Sequence, residues 1–211
     1  MKILALALGC TVVGLGGPRS CAAAGTPAGG PRCCAAASAV SVAQERDPPP
    51  VDLVTPLMGT DNTKELSCGN LYPAICRPWG MNVWTPQTGK MGNGWIYLYA
   101  DRRIRGFRQT HQPSPWIGDY GQFAVMPITG KTIFKEDERA SWFTHKTEHA
   151  SPATYRVYLA EHDVTVELAP TERAAIFRVT YPETDTAQFV VDAFDEGSAI
   201  QVDAARRRIS G

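Results

Sequence analysis

The sequence predicts an all-β protein, an antiparallel β-sandwich. Three observations carry that reading. Four runs between Thr154 and Phe194 alternate apolar and polar residues with period two. Glycine and proline recur every few residues from Val51 onward, the punctuation of strands and turns. Helical periodicity is scarce over the same span.

The chain starts with "MKILALALGCTVVGLG", in which Lys2 precedes an uncharged apolar run, and "SCAAAG" supplies small residues suited to signal peptidase. Residues 1–24 are therefore expected to be a secretory signal peptide, and the protein to be secreted or periplasmic. The run is too short for a comfortable membrane span. Residues 25–50 are rich in Ala, Gly and Pro with no apolar period, and they read as a disordered linker. The folded domain is expected over residues 51–211.

Lys+Arg and Asp+Glu balance at 21 each, which argues against a nucleic-acid partner. Of the six cysteines, Cys10 and Cys21 fall in the expected leader, and Cys33 and Cys34 in the linker. Cys68 and Cys76 flank "GNLYPAI"; spacing alone does not decide whether they pair. No His joins them at zinc-site spacing, so a structural zinc is not expected.

The strands of the second half are the clearest. "TYRVYLA" puts Tyr155, Val157 and Leu159 on one face, and "DVTVELA" does the same with Val164, Val166 and Leu168. "EHD" between them suits a tight hairpin. "RAAIFRVTY" aligns Phe177, Val179 and Tyr181, and "QFVVDAF" aligns Phe189, Val191 and Ala193. Four such runs imply antiparallel sheet with one buried face. The first half, residues 51–130, is rich in loops, where a rigid scaffold usually carries its binding residues.

Searches for chemistry mostly fail. There is no G-x-S-x-G elbow, no phosphate loop and no H-E-x-x-H pair. His145 and His149 are four apart, a spacing that serves a metal only on a helix. The carboxylates Asp101, Asp119, Glu136, Asp137, Glu138 and Glu148 form no convincing acid–base pair, and "KEDER" reads as a solvated charge run. No catalytic residue and no metal ligand is assigned. A binding constellation remains. "RGFRQTHQPSPWIGDYG" gathers aromatic faces for the C–H surface of a sugar and polar groups for its hydroxyls. Trp95, His111, Trp116 and Asp119 are the expected substrate-binding residues.

At these residues the chain resembles the N-terminal domain of glycoside hydrolase family 92, the calcium-dependent exo-acting α-mannosidases. The matching segments run in order: "VDLVTPLMGT", "GNLYPAICRPWGMNVWTPQTG", "NGWIYLY", "IRGFRQTHQPSPWIGDYGQFAVMPITG", "ASPATYRVYL" and "VTVELAPTERAAIFRVTYP". Where many members read "SHTHLSG" this chain has "RQTHQPS", with His111 retained. The compact "TPQTGKMGNGW" also departs from the family's longer insertion.

The resemblance implies a β-sandwich packed on a catalytic (α/α)6 barrel. It implies inverting hydrolysis of terminal α-linked mannose, with α-mannosyl glycans of N-glycan type as partners and Ca²⁺ as cofactor. In the family both carboxylates and most calcium contacts come from the barrel. The chain ends at "ARRRISG", which is expected to be a C-terminal truncation that leaves the fragment inactive alone. A free-standing carbohydrate-binding or structural sandwich without hydrolase activity is the rival expectation.

Overall fold

A computed structural model describes residues 3–7 (backbone only), 47–61, 63, 71–90, 96–110, 123–193 and 198–211. The chain divides into two compact units, Met1–Gly9 with Pro49–Gly211, and Cys10–Pro48. The first is the β domain. Its strands are β1 (Ile3–Ala7), β2 (Val83–Gln87), β3 (Arg103–Ile104), β4 (Gly106–Thr110), β5 (Phe123–Ile128), β6 (Ser141–Trp142) and β7 (His149–Ser151). β8 (Thr154–Leu159), β9 (Val164–Pro170), β10 (Ala175–Thr180), β11 (Gln188–Ala193), β12 (Gln201–Asp203) and β13 (Arg208–Ser210) follow. One short helix, α1 (Glu136–Arg139), and a 3-10 turn at Pro50–Leu53 are the helical elements among the described residues.

Two antiparallel sheets make the sandwich. One has five strands in the order β1-β11-β5-β4-β2, and the other four in the order β10-β9-β8-β7. The three cleanest alternating runs form the second sheet. β8 and β9 pair in register from Tyr155 opposite Leu168 to Leu159 opposite Val164, so their apolar positions fall on one face. Tyr155, Val157, Leu159, Val164, Val166 and Leu168 are all buried, while Arg156 and Tyr158 on the opposite face are exposed. The chain reverses between them at Asp163, whose φ of 51° is left-handed, a conformation Asp tolerates better than most residues.

The fourth alternating run does not extend this sheet. After β10 the chain crosses to the five-stranded sheet, where β11 pairs with β5, Val191 opposite Val125. Alternation specifies one buried face but not which sheet a strand joins. On the other edge of β11, Ile3–Ala7 form an antiparallel ladder with Gln188–Asp192.

Aromatic rings fill the space between the sheets. Phe177 of β10 lies edge-on to Trp84 of β2 at 4.9 Å between ring centroids, to Phe107 of β4 at 6.1 Å and to Phe189 of β11 at 6.3 Å. Edge-to-face pairs of this kind are each worth about 0.5–1.5 kcal/mol beyond the area they bury. Trp84 is thus a core residue, and its indole N–H donates to Asn82 Oδ1 at 2.9 Å.

The far face of the five-stranded sheet is also buried, although its residues are polar. Thr85, Gln87, Arg108 and Thr110 are all inaccessible to solvent or nearly so. The segment around α1 binds this face. Gln87 Nε2 donates to Glu136 at 2.6 Å, Thr132 donates to Gln188 at 2.8 Å, and Arg139 pairs with Asp192. The "KEDER" run is therefore not simply solvated. Arg139 is buried, because Asp192 and the carbonyl oxygens of Phe134 and Arg105 satisfy its guanidinium.

Candidate functional site

The four residues expected to bind substrate, Trp95, His111, Trp116 and Asp119, lie outside the described residues, as does Cys68. The strands bearing the flanks of those segments are described. The segment 111–122 leaves β4 at Thr110 and rejoins the sheet at Phe123 of β5. Its two stems stand at one end of the five-stranded sheet. The segment 91–95 is flanked by residues at the opposite end of β2, where the N–H groups of Thr88 and Gly89 both donate to the Ile96 carbonyl. The β2–β4 register fixes this, with Val83 opposite Thr110 and Gln87 opposite Gly106. The two attachment points are thus about 13 Å apart along the strand.

The Thr110 end has a built structure. Tyr72 packs there, and burial pushes its phenol above the usual tyrosine range, with a hydrogen bond to the Thr110 side chain pulling back. Asn82 is buried and connects three neighbours. Its amide donates to the Ala174 carbonyl at 2.7 Å, while its carbonyl accepts from Trp84 and, at 3.5 Å, from Gln109. Ile75 and Trp84 exchange both backbone hydrogen bonds beside it, each at 2.9 Å.

A pocket of about 710 Å³ opens at this end. Gln109, Phe123, Val125, Val191 and Ala193 form its floor, on the face of the sheet that meets the aromatic core. The wall is the β12–β13 hairpin and its approach, from Ser198 to Gly211. The volume falls in the range of small-molecule sites, about 300–1,000 Å³. Among the described residues, no acidic or basic side chain lines it. An apolar floor with one primary amide can hold a neutral amphipathic ring. Those side chains cannot donate or accept a proton at a reacting bond.

Three of the other carboxylates flagged by sequence, Glu148, Glu136 and Asp137, have partners within the fold. Glu148 is fully buried and accepts from Tyr97, Tyr155 and His145. His145 sits in a turn and His149 on β7, so their spacing of four does not lie on a helix. Glu136 and Asp137 bind Gln87 and Arg105. Among the described residues, no three His, Cys, Asp or Glu side chains converge as a metal site. Calcium takes six to eight oxygen ligands, so these residues do not by themselves make a calcium shell. Cys76 is a free thiol.

Residues 53–211 match the model of the glycosyl hydrolase family 92 N-terminal domain. The chain belongs to glycoside hydrolase family 92. Among solved structures, this family 92 chain is 48% identical to a family GH92 inverting mannosidase from Bacteroides thetaiotaomicron, with a TM-score of 0.70. That match covers 75% of this chain and 21% of the other. A second family GH92 α-mannosidase from the same organism is 32% identical with a TM-score of 0.60, over 68% of this chain and 20% of that one. It has also been solved in complex with mannoimidazole, and that structure matches at a TM-score of 0.59 and 32% identity, over 68% of this chain and 19% of that one. The chain thus spans about a fifth of the length of these relatives. No curated protein matches.

Gln109 of the pocket floor was not among the residues expected from the sequence. Gln109 lies inside a strand run, "GFRQT", and carries no motif of its own. The signal that could have found it is its position one residue before the loop stem.

Proposed function

We propose that this chain is the substrate-binding N-terminal portion of an exported α-mannosidase that removes terminal α-linked mannose from glycans with inversion. One observation carries the reading: an uncharged, amphipathic pocket of about 710 Å³ opens where the 111–122 segment joins the sheet. The names of the relatives, an inverting mannosidase and an α-mannosidase solved with mannoimidazole, support mannose as the ligand.

In this reading the sandwich binds and orients the sugar; His111, Trp116 and Asp119 are further contacts proposed at the Thr110 end, and Trp95, whose segment attaches at the other end of β2, is a proposed contact outside this pocket. Inverting hydrolysis needs two carboxyl groups about 6.5–9.5 Å apart. The pocket offers none from its described side chains, and in this reading the sandwich contributes binding rather than cleavage. The acid, the base and the calcium shell belong to a catalytic (α/α)6 domain. Residues 1–24 direct export to the periplasm or the medium.

The test is titration of the 211-residue chain with methyl α-mannoside, followed by NMR, beside an aryl-α-mannoside hydrolysis assay with calcium present. The expected result is saturable binding and no turnover. Absence of binding would overturn the binding role. Turnover by this chain alone would overturn the assignment of the carboxylates to another domain.

A further inference from the structure

The outer face of the four-stranded sheet carries a row of polar side chains. The strand register sets His149 of β7 opposite Arg156 of β8, Arg156 opposite Glu167 of β9, and Glu167 opposite Arg178 of β10. Directly opposed side chains in such a ladder start about 5 Å apart. The row holds one carboxylate, and it goes to Arg178, with Glu167 Oε2 3.6 Å from Arg178 Nη1. Arg156 is left between an imidazole and a carboxylate already paired.

A depression of about 700 Å³ opens over the β7–β9 part of this row. Lys146, His149, Arg156 and Thr165 all line it. Lys146 comes from the turn before β7, whose shape is fixed: the N–H and the hydroxyl of Thr147 both donate to the Thr144 carbonyl, at 3.0 and 3.1 Å. His145 and Glu148, on either side of that turn, are bonded to each other at 2.6 Å. Two carboxylates stand near the depression, and both are engaged. Glu148 lines it, but its side chain is fully buried and accepts from Tyr97, Tyr155 and His145. Asp163 accepts from the Tyr158 hydroxyl at 2.8 Å. Among the described residues, the side chains of Lys146, His149, Arg156 and Thr165 make no hydrogen bond or ion pair.

Two cations, an imidazole and a hydroxyl thus line one depression with no carboxylate left to answer them. Guanidinium presents two parallel N–H groups to two oxygens of a phosphate or sulfate. The lysine ammonium adds a mobile point charge, and the imidazole and hydroxyl can donate to the remaining oxygens. The space is larger than one such ion fills. A second depression of about 310 Å³ shares His149 and Arg156 and continues across the sheet to Arg178.

We propose that this face is an anion site, in which Arg156, Lys146, His149 and Thr165 hold a tetrahedral oxyanion, phosphate or sulfate, free or carried as an ester on a larger ligand. It lies on the outside of the second sheet and does not depend on the mannose reading of the other pocket.

The experiment is calorimetry on the 211-residue chain with inorganic phosphate, inorganic sulfate and glucose 6-phosphate, repeated on R156A, R156K, K146A and K131A. Arg156, Lys146 and Lys131 are exposed, so the variants are expected to fold, and urea midpoints check this. Lys131, on the turn after β5, lines neither depression and removes the same charge elsewhere. The expected result is saturable oxyanion binding, weakened at least about tenfold in R156A and K146A, partly recovered in R156K, and unchanged in K131A. Glucose 6-phosphate binding at least as tightly as inorganic phosphate would support the site and assign it to an ester; tighter binding of the inorganic ions would support it as a site for the free ion. Methyl α-mannoside affinity, read beside these, should be the same in R156A as in wild type. No saturable binding of any oxyanion by wild type would overturn the proposal. So would wild-type affinity in R156A, or equal losses in R156A and K131A, which would mark diffuse surface charge.

Discussion

Tyr155 donates its hydroxyl to Glu148 Oε1 at 2.6 Å, and both side chains are buried. Tyr97 donates to the same carboxylate at 3.1 Å, and His145 Nδ1 lies 2.6 Å from its other oxygen. The opposite ring nitrogen of His145 meets the Tyr99 carbonyl at 2.8 Å, with Tyr99 stacked on the imidazole at 3.9 Å. This network ties the loops at 96–99 and 143–148 to β8. Removing the carboxylate leaves two buried hydroxyls and an imidazole without their acceptor. Glu148→Leu is expected to cost about 3–5 kcal/mol, and Glu148→Gln less because one oxygen acceptor survives. Urea denaturation reads both; a loss under 1 kcal/mol in Glu148→Leu would show that the network is dispensable.

Alkaline pH tests the same cluster by a different route. Burial, then the charge of Glu148, holds the Tyr97 and Tyr155 phenols well above the ordinary tyrosine range. Burial alone does so for Tyr181. The folded state therefore keeps protons that the unfolded chain releases above about pH 10. Stability from these groups is complete below that pH and falls as pH rises further, by about 1.4 kcal/mol per unit for each fully buried tyrosine. The urea midpoint should be flat near pH 8–9.5 and drop steeply above 10. In Tyr97→Phe the drop should be shallower, and an unchanged slope would remove Tyr97 from the account.

The Arg139–Asp192 pair fixes the segment around α1 to the polar face of the five-stranded sheet. Arg139 also donates to the Phe134 carbonyl at 2.8 Å, so its guanidinium has partners on both sides. Asp192→Asn leaves a buried cation without its counter-charge, an expected loss of about 3–5 kcal/mol. Replacing both ends, Arg139→Met with Asp192→Leu, removes the uncompensated charge. The double variant should be more stable than Asp192→Asn. If it is less stable, the packing of the Arg139 stem matters more than the charge.

These two buried networks also show where sequence reading stops. β8, β9 and β10 were legible because each has one wet face, so alternation survives in the sequence. β2 and β4 were not, because Thr85, Gln87, Arg108 and Thr110 are polar yet buried. Their partners come from elsewhere in the chain, Glu136 of α1 for Gln87 and Tyr72 for Thr110, and composition reads them as solvent-facing. Arg139 misled for the same reason, since an arginine in "KEDER" looks solvated until Asp192 is brought to it. In the site, the aromatic and glycine content of 111–122 drew attention to a segment that lies outside the described residues. That the 91–95 and 111–122 segments attach at opposite ends of β2 follows only from the strand register. The pocket wall at residues 198–211 depends on β11 crossing to the first sheet, which its pattern does not encode.

Gln109 and Asn82 separate the binding role from the structural one. Gln109 lines the pocket, and among the described residues its one bond to a side chain, to Asn82, is long at 3.5 Å. Gln109→Ala should leave the urea midpoint within about 0.5 kcal/mol of wild type. It should weaken methyl α-mannoside by up to about tenfold, the loss of one neutral hydrogen bond. Asn82→Ala should do the reverse. It strips the partner from the buried Trp84 N–H and from the Ala174 carbonyl, for a cost of about 2–3 kcal/mol in stability. Asn82 does not line the pocket, so any loss of affinity in its variant should follow the fraction unfolded and vanish when binding is corrected for it. A Gln109→Ala protein that is stable and binds mannoside as wild type does would move the sugar away from this floor, toward the 111–122 segment alone.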